Sequence, residues 1–154
     1  MKHQARKHGG DEHEWGIVGL VHDMDYEQFP EEHCQAARRI LEAQGWPAAY
    51  IRAVESHAWT LFTDVEPKTL LELTLFAIDE LTGFVVACAL VRPSRSVMDL
   101  EVESVRKKWK TRSFAASVNR DIVEKGISKL GTTFDELARD VIFALREQAP
   151  AVGL

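Results

Sequence analysis

Apolar residues recur along this chain at helical spacing and almost nowhere in strict alternation. The longest pattern is Lys68–Val91, where Leu70, Leu71, Leu73, Leu75, Phe76, Ile78, Leu81, Val85 and Leu90 cover more than one helix face. It predicts a central helix, stopped by Pro93. Upstream, Met1–His8 reads as a short helix ended by Gly9-Gly10. Asp11–Asp25 follows, with Asp11 as N-cap and Glu12 and Glu14 at the positive end of the helix. Its apolar positions, Trp15, Ile17, Val18, Leu20 and Val21, predict burial on nearly every side. Glu31–Gln44 places Ala37, Ile40 and Leu41 on one face, and Gly45 closes it. Pro47 opens a helix that carries Tyr50, Ile51 and Val54. Asp99–Lys110 is amphipathic, with Leu100 and Val105 inward. Asp121–Leu130 and Thr133–Glu147 complete the set, the last opened by the capping-box form Thr133-Phe-Asp-Glu136. No segment alternates as a strand would. The expected fold class is all-α, a compact helical bundle.

Composition narrows the picture. A length of 154 residues favours one domain over 1–154, with roughly 70% of the unfolded chain's surface buried. Apolar residues at 45% and charged residues at 28% are ordinary for a soluble globular protein. The longest apolar stretch, Thr74–Val91, is interrupted by Asp79, Glu80 and Gly83 and falls short of the ~20 residues that span a bilayer. The Lys- and His-rich start has no apolar segment behind it, unlike a secretory signal. No membrane association and a cytoplasmic location are the resulting expectations. A net charge of −5 argues against general nucleic-acid binding. Cys34 and Cys88 fall within helical patterns, are too few for a disulfide framework, and read as small buried thiols.

The candidate chemistry lies at the end of the second apolar run, in Trp15-Gly-Ile-Val-Gly-Leu-Val-His-Asp-Met-Asp-Tyr26. An imidazole beside a carboxylate, His22-Asp23, packs poorly and binds divalent metal well. His33 follows after eleven residues, His57 after a further twenty-four and Asp79 after twenty-two more. That spacing suits one ligand per helix or loop rather than a local zinc loop. A single His is more often a satisfied core or surface group. Asp79 stands out because it sits in Leu75-Phe-Ala-Ile-Asp-Glu-Leu81, the most apolar helix, where a carboxylate needs a partner or a metal.

Four segments carry a resemblance: Gly-Ile-Val-Gly-Leu-Val-His22-Asp23-Met-Asp-Tyr, Pro30-Glu-Glu-His33, Ala-Val-Glu-Ser-His57, and Leu-Phe-Ala-Ile-Asp79-Glu-Leu-Thr-Gly83. Together they resemble the HD superfamily of metal-dependent phosphohydrolases, and the small bacterial HDIG-type proteins among them. The likeness extends to Val102-Glu-Ser-Val-Arg-Lys-Lys and Ser113-Phe-Ala-Ala-Ser-Val-Asn-Arg120. It implies a bundle of the HD-domain type that cleaves a phosphoester (nucleotide, phosphomonoester or phosphodiester) with metal-bound hydroxide. It implies His22, Asp23 and Asp79 as ligands of a first divalent ion, with Asp23 bridging to a second and His33 and His57 completing that second site. His22 and Asp23 would thereby be catalytic. Mn, Fe, Zn, Co, Ni and Mg are all compatible ions, and activity is expected to fall in acid as the imidazoles protonate.

The family pattern has an earlier histidine, roughly thirty residues before His22, whereas only twenty-one residues precede His22 here. The chain therefore reads as N-terminally short. His3, His8 and His13 are weak replacements beside Lys2, Arg6, Lys7 and Glu14. A homodimer that exchanges N-terminal helices would cover the exposed groove. Two alternatives follow from the shortened end: a catalytically impaired metal- or phosphate-binding regulatory domain, or a promiscuous phosphotriesterase with a widened pocket. Lys107, Lys110 and Arg120 belong to a basic cluster that offers phosphate contacts for a small phosphorylated substrate, or else forms a solvated face. Asp25, Tyr26 and Glu27, which follow the His-Asp pair, are candidates to orient the ligands, and Glu80 is either another or an exposed neighbour. Trp46, Trp59, Trp109 and Phe62 read first as packing residues and second as stacking surfaces.

Overall fold

A computed structural model describes residues 1–154. Eight α-helices and one short 3-10 turn account for its regular structure: α1 Lys2–His8, α2 Glu12–Val21, α3 Gln35–Ala43, α4 Ala48–His57, α5 Leu70–Leu90, α6 Val102–Trp109, α7 Arg120–Leu130 and α8 Phe134–Val152. The chain is all-α, with no strand beyond an isolated bridge between Trp59 and Thr63. It divides into two compact units, Met1–Phe76 and Ala77–Leu154.

Local chemistry explains most boundaries in the first unit. Gly9 takes the left-handed conformation at φ 70° and ends α1, and its N–H returns to the Ala5 carbonyl. Asp11 caps α2 by accepting from the Glu14 N–H at 2.8 Å. Glycine then allows α1 to lie close on α2. A methyl group at Gly19 would stand 2.5 Å from Met1 Cγ, and one at Gly16 2.7 Å from Lys2 Cε. The core between helices is small. Ala37, Leu41, Ile51 and Val54 join α3 to α4, with Val21 and Trp46 against them. Val18, Ala53 and Leu75 form a second cluster under Met1, Tyr50 and Leu71.

Two expectations fail here. Helix α2 stops at Val21, not Asp25, and buries only Trp15 and Val18, leaving Leu20 82% exposed. A ten-residue helix packed against α1 and α4 has an outer face, so apolar residues all round it do not mean burial all round. The helix expected over Glu31–Gln44 is split: Pro30–Glu32 makes a 3-10 turn, His33 leaves helical geometry at ψ 139°, and α3 begins at Gln35. Cys34 therefore lies outside any helix, at φ 67°, although it is buried as expected.

In the second unit, Asn119 caps α7 by accepting from the Ile122 N–H at 3.2 Å, and Thr133 and Glu136 complete the capping box of α8. Gly126 on α7 lets the backbone of α5 approach, since a methyl group there would sit 2.6 Å from Ala77 Cα. Phe84, Leu81, Val85, Val105 and Val123 are fully buried. Trp109 packs between Phe84 and Phe134, with ring centroids at 4.9 and 4.8 Å. Helix α5 starts at Leu70 and so reaches 21 residues, long and apolar enough to cross a membrane by those criteria alone. About half of it (56%) is buried inside the protein, as in a core helix.

Candidate metal centre

His22 and His57 occupy the same local position. His57 is the last residue of α4, and His22 follows the last residue of α2. The final turn of a helix leaves carbonyls without partners. Each imidazole uses one: His22 Nδ1 donates to Gly19 O at 2.9 Å, and His57 Nδ1 donates to Val54 O at 2.5 Å. A carbonyl only accepts, so both Nδ1 atoms carry the proton. In the neutral rings, Nε2 then presents a lone pair. The negative ends of the two helix dipoles add to the attraction for a cation.

His33 reaches the same point from the loop before α3. Its Nδ1 donates to Asp25 Oδ1 at 2.9 Å, and the other oxygen of that fully buried carboxylate accepts from the Ala37 N–H at 2.8 Å. Asp25 thus fixes the tautomer of His33 through a bond a carboxylate makes only as acceptor, as in carboxylate–histidine–metal arrangements.

The Nε2 atoms converge on Asp23. His33 Nε2 and His57 Nε2 lie 3.2 Å apart, and Asp23 Oδ1 is 3.5 Å from the first and 3.2 Å from the second. Asp23 Oδ2 turns to His22 Nε2 at 3.4 Å. Two nitrogen lone pairs and a carboxylate oxygen at such separations repel one another unless a cation lies among them. A tetrahedral ion with bonds of ~2.0–2.1 Å separates its ligand atoms by roughly 3.3 Å, so the three atoms fit one face of such a polyhedron. Protons fill the same place in acid. Half-burial raises the pKa of Asp23, but the hydrogen bond with His57 and the electrostatic pull of His22, His57 and His33 outweigh it and hold the carboxyl below its ordinary value.

Cys34 adds sulfur to the buried group. His33, Cys34 and His57 offer ligand atoms within 4.8 Å of one another, so this cluster is also placed to hold a metal ion. The Cys34 sulfur lies 3.9 Å from His57 Nδ1 and 3.9 Å from Val54 O, on the ring edge away from Asp23. Sequence spacing gave no reason to include it, because no second cysteine stands nearby. Tyr26 and Phe62 border the centre: each ring meets His33 edge-on at 5.1 Å.

Several other sequence candidates belong to the second unit. Asp79 and Glu80 stand on α5 within the second unit, both partly buried, and Glu80 accepts from the Asn119 N–H at 3.1 Å. Lys107 and Lys110 are exposed on and just beyond α6, and Lys110 borders a cleft of about 310 Å³ with Trp109 and Phe134. Arg120 is only 5% exposed. It donates to the carbonyls of Phe114 at 2.7 Å, Thr111 at 3.2 Å, Trp109 at 3.3 Å and Ala115 at 3.5 Å. Its guanidinium also lies over the Phe84 and Trp109 rings. The tryptophans pack: Trp46 against Tyr50, Trp59 against Phe76 and Trp109 as described. His8 stacks on Trp15 and His13 is exposed. Comparison of the chain with models of known protein families, with curated proteins and with solved structures finds no match.

Proposed function

We propose that this chain is a metal-dependent phosphohydrolase of the HD type. The observation that carries the reading is the meeting of His33 Nε2, His57 Nε2 and Asp23 Oδ1 within 3.2–3.5 Å, with both Nδ1 atoms tied back to acceptors. Purely structural metal sites are closed, whereas catalytic ones keep a position open. Half of the Asp23 side chain and a fifth of His22 remain accessible, which leaves room for water and an ester. A bound divalent ion would polarise the phosphoryl group and make water a better nucleophile.

The chain's residues divide the work. His33 and His57 would hold one ion with Oδ1 of Asp23, and His22 would face a second beyond Oδ2. Asp79 is proposed as a further ligand on the strength of the sequence resemblance and of its place in an apolar helix. Asp25 keeps the His33 ring in its binding tautomer. Lys107 and Lys110 are proposed as phosphate contacts from sequence. Arg120 is left out of that role because four loop carbonyls already take its donors.

The test is turnover of a chromogenic phosphodiester by full-length protein supplied with Mn²⁺. Asp23→Ala is expected to lower the rate by about 10³-fold or more, since it removes the carboxylate that His22, His33 and His57 all face. Undiminished turnover in a folded Asp23→Ala protein would overturn the assignment. Tight ion binding without any turnover would favour the regulatory alternative.

A further inference from the structure

Two aromatic rings border this centre. Tyr26 and Phe62 come from different loops, yet both set a ring edge-on against His33, with centroids at 5.1 Å. Both are largely in solvent: Tyr26 is 52% and Phe62 42% exposed. Both rings pack on the imidazole whose Nε2 faces Asp23. The backbone supports Phe62 at a cost. Thr60, a β-branched residue, sits at φ 71°, and the Thr60 N–H bonds Thr63 O at 2.9 Å to close the turn that carries Leu61 and Phe62 outward.

Phe62 also forms one wall of a cleft of about 420 Å³ that includes Gln35, Glu55, Thr60 and Asp64. No cation lines this cleft. Nearby Arg38 is held by Glu42 and Glu55, and Arg39 by Glu32. The carboxylates of Glu55 and Asp64 would repel a second phosphate or any other anionic group extending from the ion. Aromatic surface is what the rim offers instead.

Resting on the phosphohydrolase reading, we propose that the centre selects phosphoesters whose organic group is uncharged and aromatic, and that Tyr26 and Phe62 hold that group. Ring-on-ring contact and burial of an exposed ring on each side supply the preference. Polyphosphorylated compounds are disfavoured by the carboxylates of the cleft.

The experiment is calorimetric binding of phosphonates, which carry the phosphoryl group but are not hydrolysed, to full-length protein loaded with Mn²⁺. Phenylphosphonate is expected to bind about tenfold more tightly than methylphosphonate. Phe62→Ala and Tyr26→Ala are each expected to cut that ratio to about threefold or less while the metal content and helical signal stay unchanged. Equal affinity for the two ligands, or a ratio that survives both substitutions, would overturn the proposal and leave the hydrolase reading intact. So would tighter binding of 2-aminoethylphosphonate, because Glu55 and Asp64 would then be the selecting groups. A fall in sedimentation coefficient on Phe62→Ala would also overturn it, by showing the rings to be covered by a second copy of the chain. Failure of all three phosphonates to bind would remove the hydrolase reading together with this one.

Discussion

Two buried polar groups, one in each unit, answer their surroundings in opposite ways. Arg120 in the second unit brings donors, and its own loop supplies carbonyls at Trp109, Thr111, Phe114 and Ala115. Every strong demand is met from within the chain, and two ring faces cover the charge. Around Asp23 in the first unit the count runs the other way. His33, His57 and His22 use their Nδ1 protons on Asp25, Val54 and Gly19, and what remains facing Asp23 is acceptors. The first arrangement completes itself as the chain folds. The second is the one that a bound cation would complete. The difference shows that burial and charge alone do not mark a functional site; the balance of donors to acceptors does.

Breaking the self-satisfied side should have the largest effect on stability. Arg120→Met leaves the loop carbonyls without partners and is expected to cost ~3 kcal/mol or more, read as a lower urea midpoint. Metal content should not change. A variant as stable as the parent, or one that loses its ion, would contradict the contrast.

Arg120 also shows where the sequence is legible and where it is not. Its charge, and its place after Ser113-Phe-Ala-Ala-Ser117, suit a phosphate contact or a solvated face, and neither suggests a loop brace. Only the fold shows the carbonyls closing on it. Helices were legible where local chemistry decides them: the Gly9 cap, the Asp11 N-cap and the Thr133–Glu136 box stand as the side chains dictate. They were not legible where a distant bond decides. The pattern over Glu31–Gln44 is helical, yet His33 leaves the helix to reach Asp25, eight residues earlier. Likewise the apolar run before His22 gave no sign that its helix would end at Val21. The position of that end is what frees Gly19 O for the imidazole. The candidate ligand types were readable from sequence, but the contact of Tyr26 and Phe62 with His33 was not, because nothing local ties either ring to it.

The Asp23 side can be sharpened by a smaller change. Asp25→Asn turns one oxygen into an N–H₂ group, which must then face either the His33 Nδ1–H or the Ala37 N–H, donor against donor. Affinity for Mn²⁺ is expected to fall by about 10–100-fold. Unchanged affinity in equilibrium dialysis would mean that the His33 tautomer does not depend on Asp25.

The smallest expected effect serves as a control on the surface of the second unit. Hydrogen bonds from Arg92, and then from Ser94, hold the Asp99 carboxyl at about 2, below its unfolded value of 3.8. Its support for the fold is present above the unfolded value and drains away as pH falls toward about 2. Arg92→Ala is expected to return the midpoint toward the ordinary carboxylate range in an NMR titration, with ion binding at Asp23 untouched. A midpoint that does not rise would show the pairing to be absent in solution.

The measurement closest to the central claim is a long-range ¹H–¹⁵N spectrum of the histidine rings at neutral pH, before and after Zn²⁺ is added. The account predicts that His22, His33 and His57 carry their protons on Nδ1, and that the Nε2 resonances of His33 and His57 move together as one equivalent of ion is taken up. Protons found on Nε2 of either ring, or Nε2 signals that stay where they were, would contradict it.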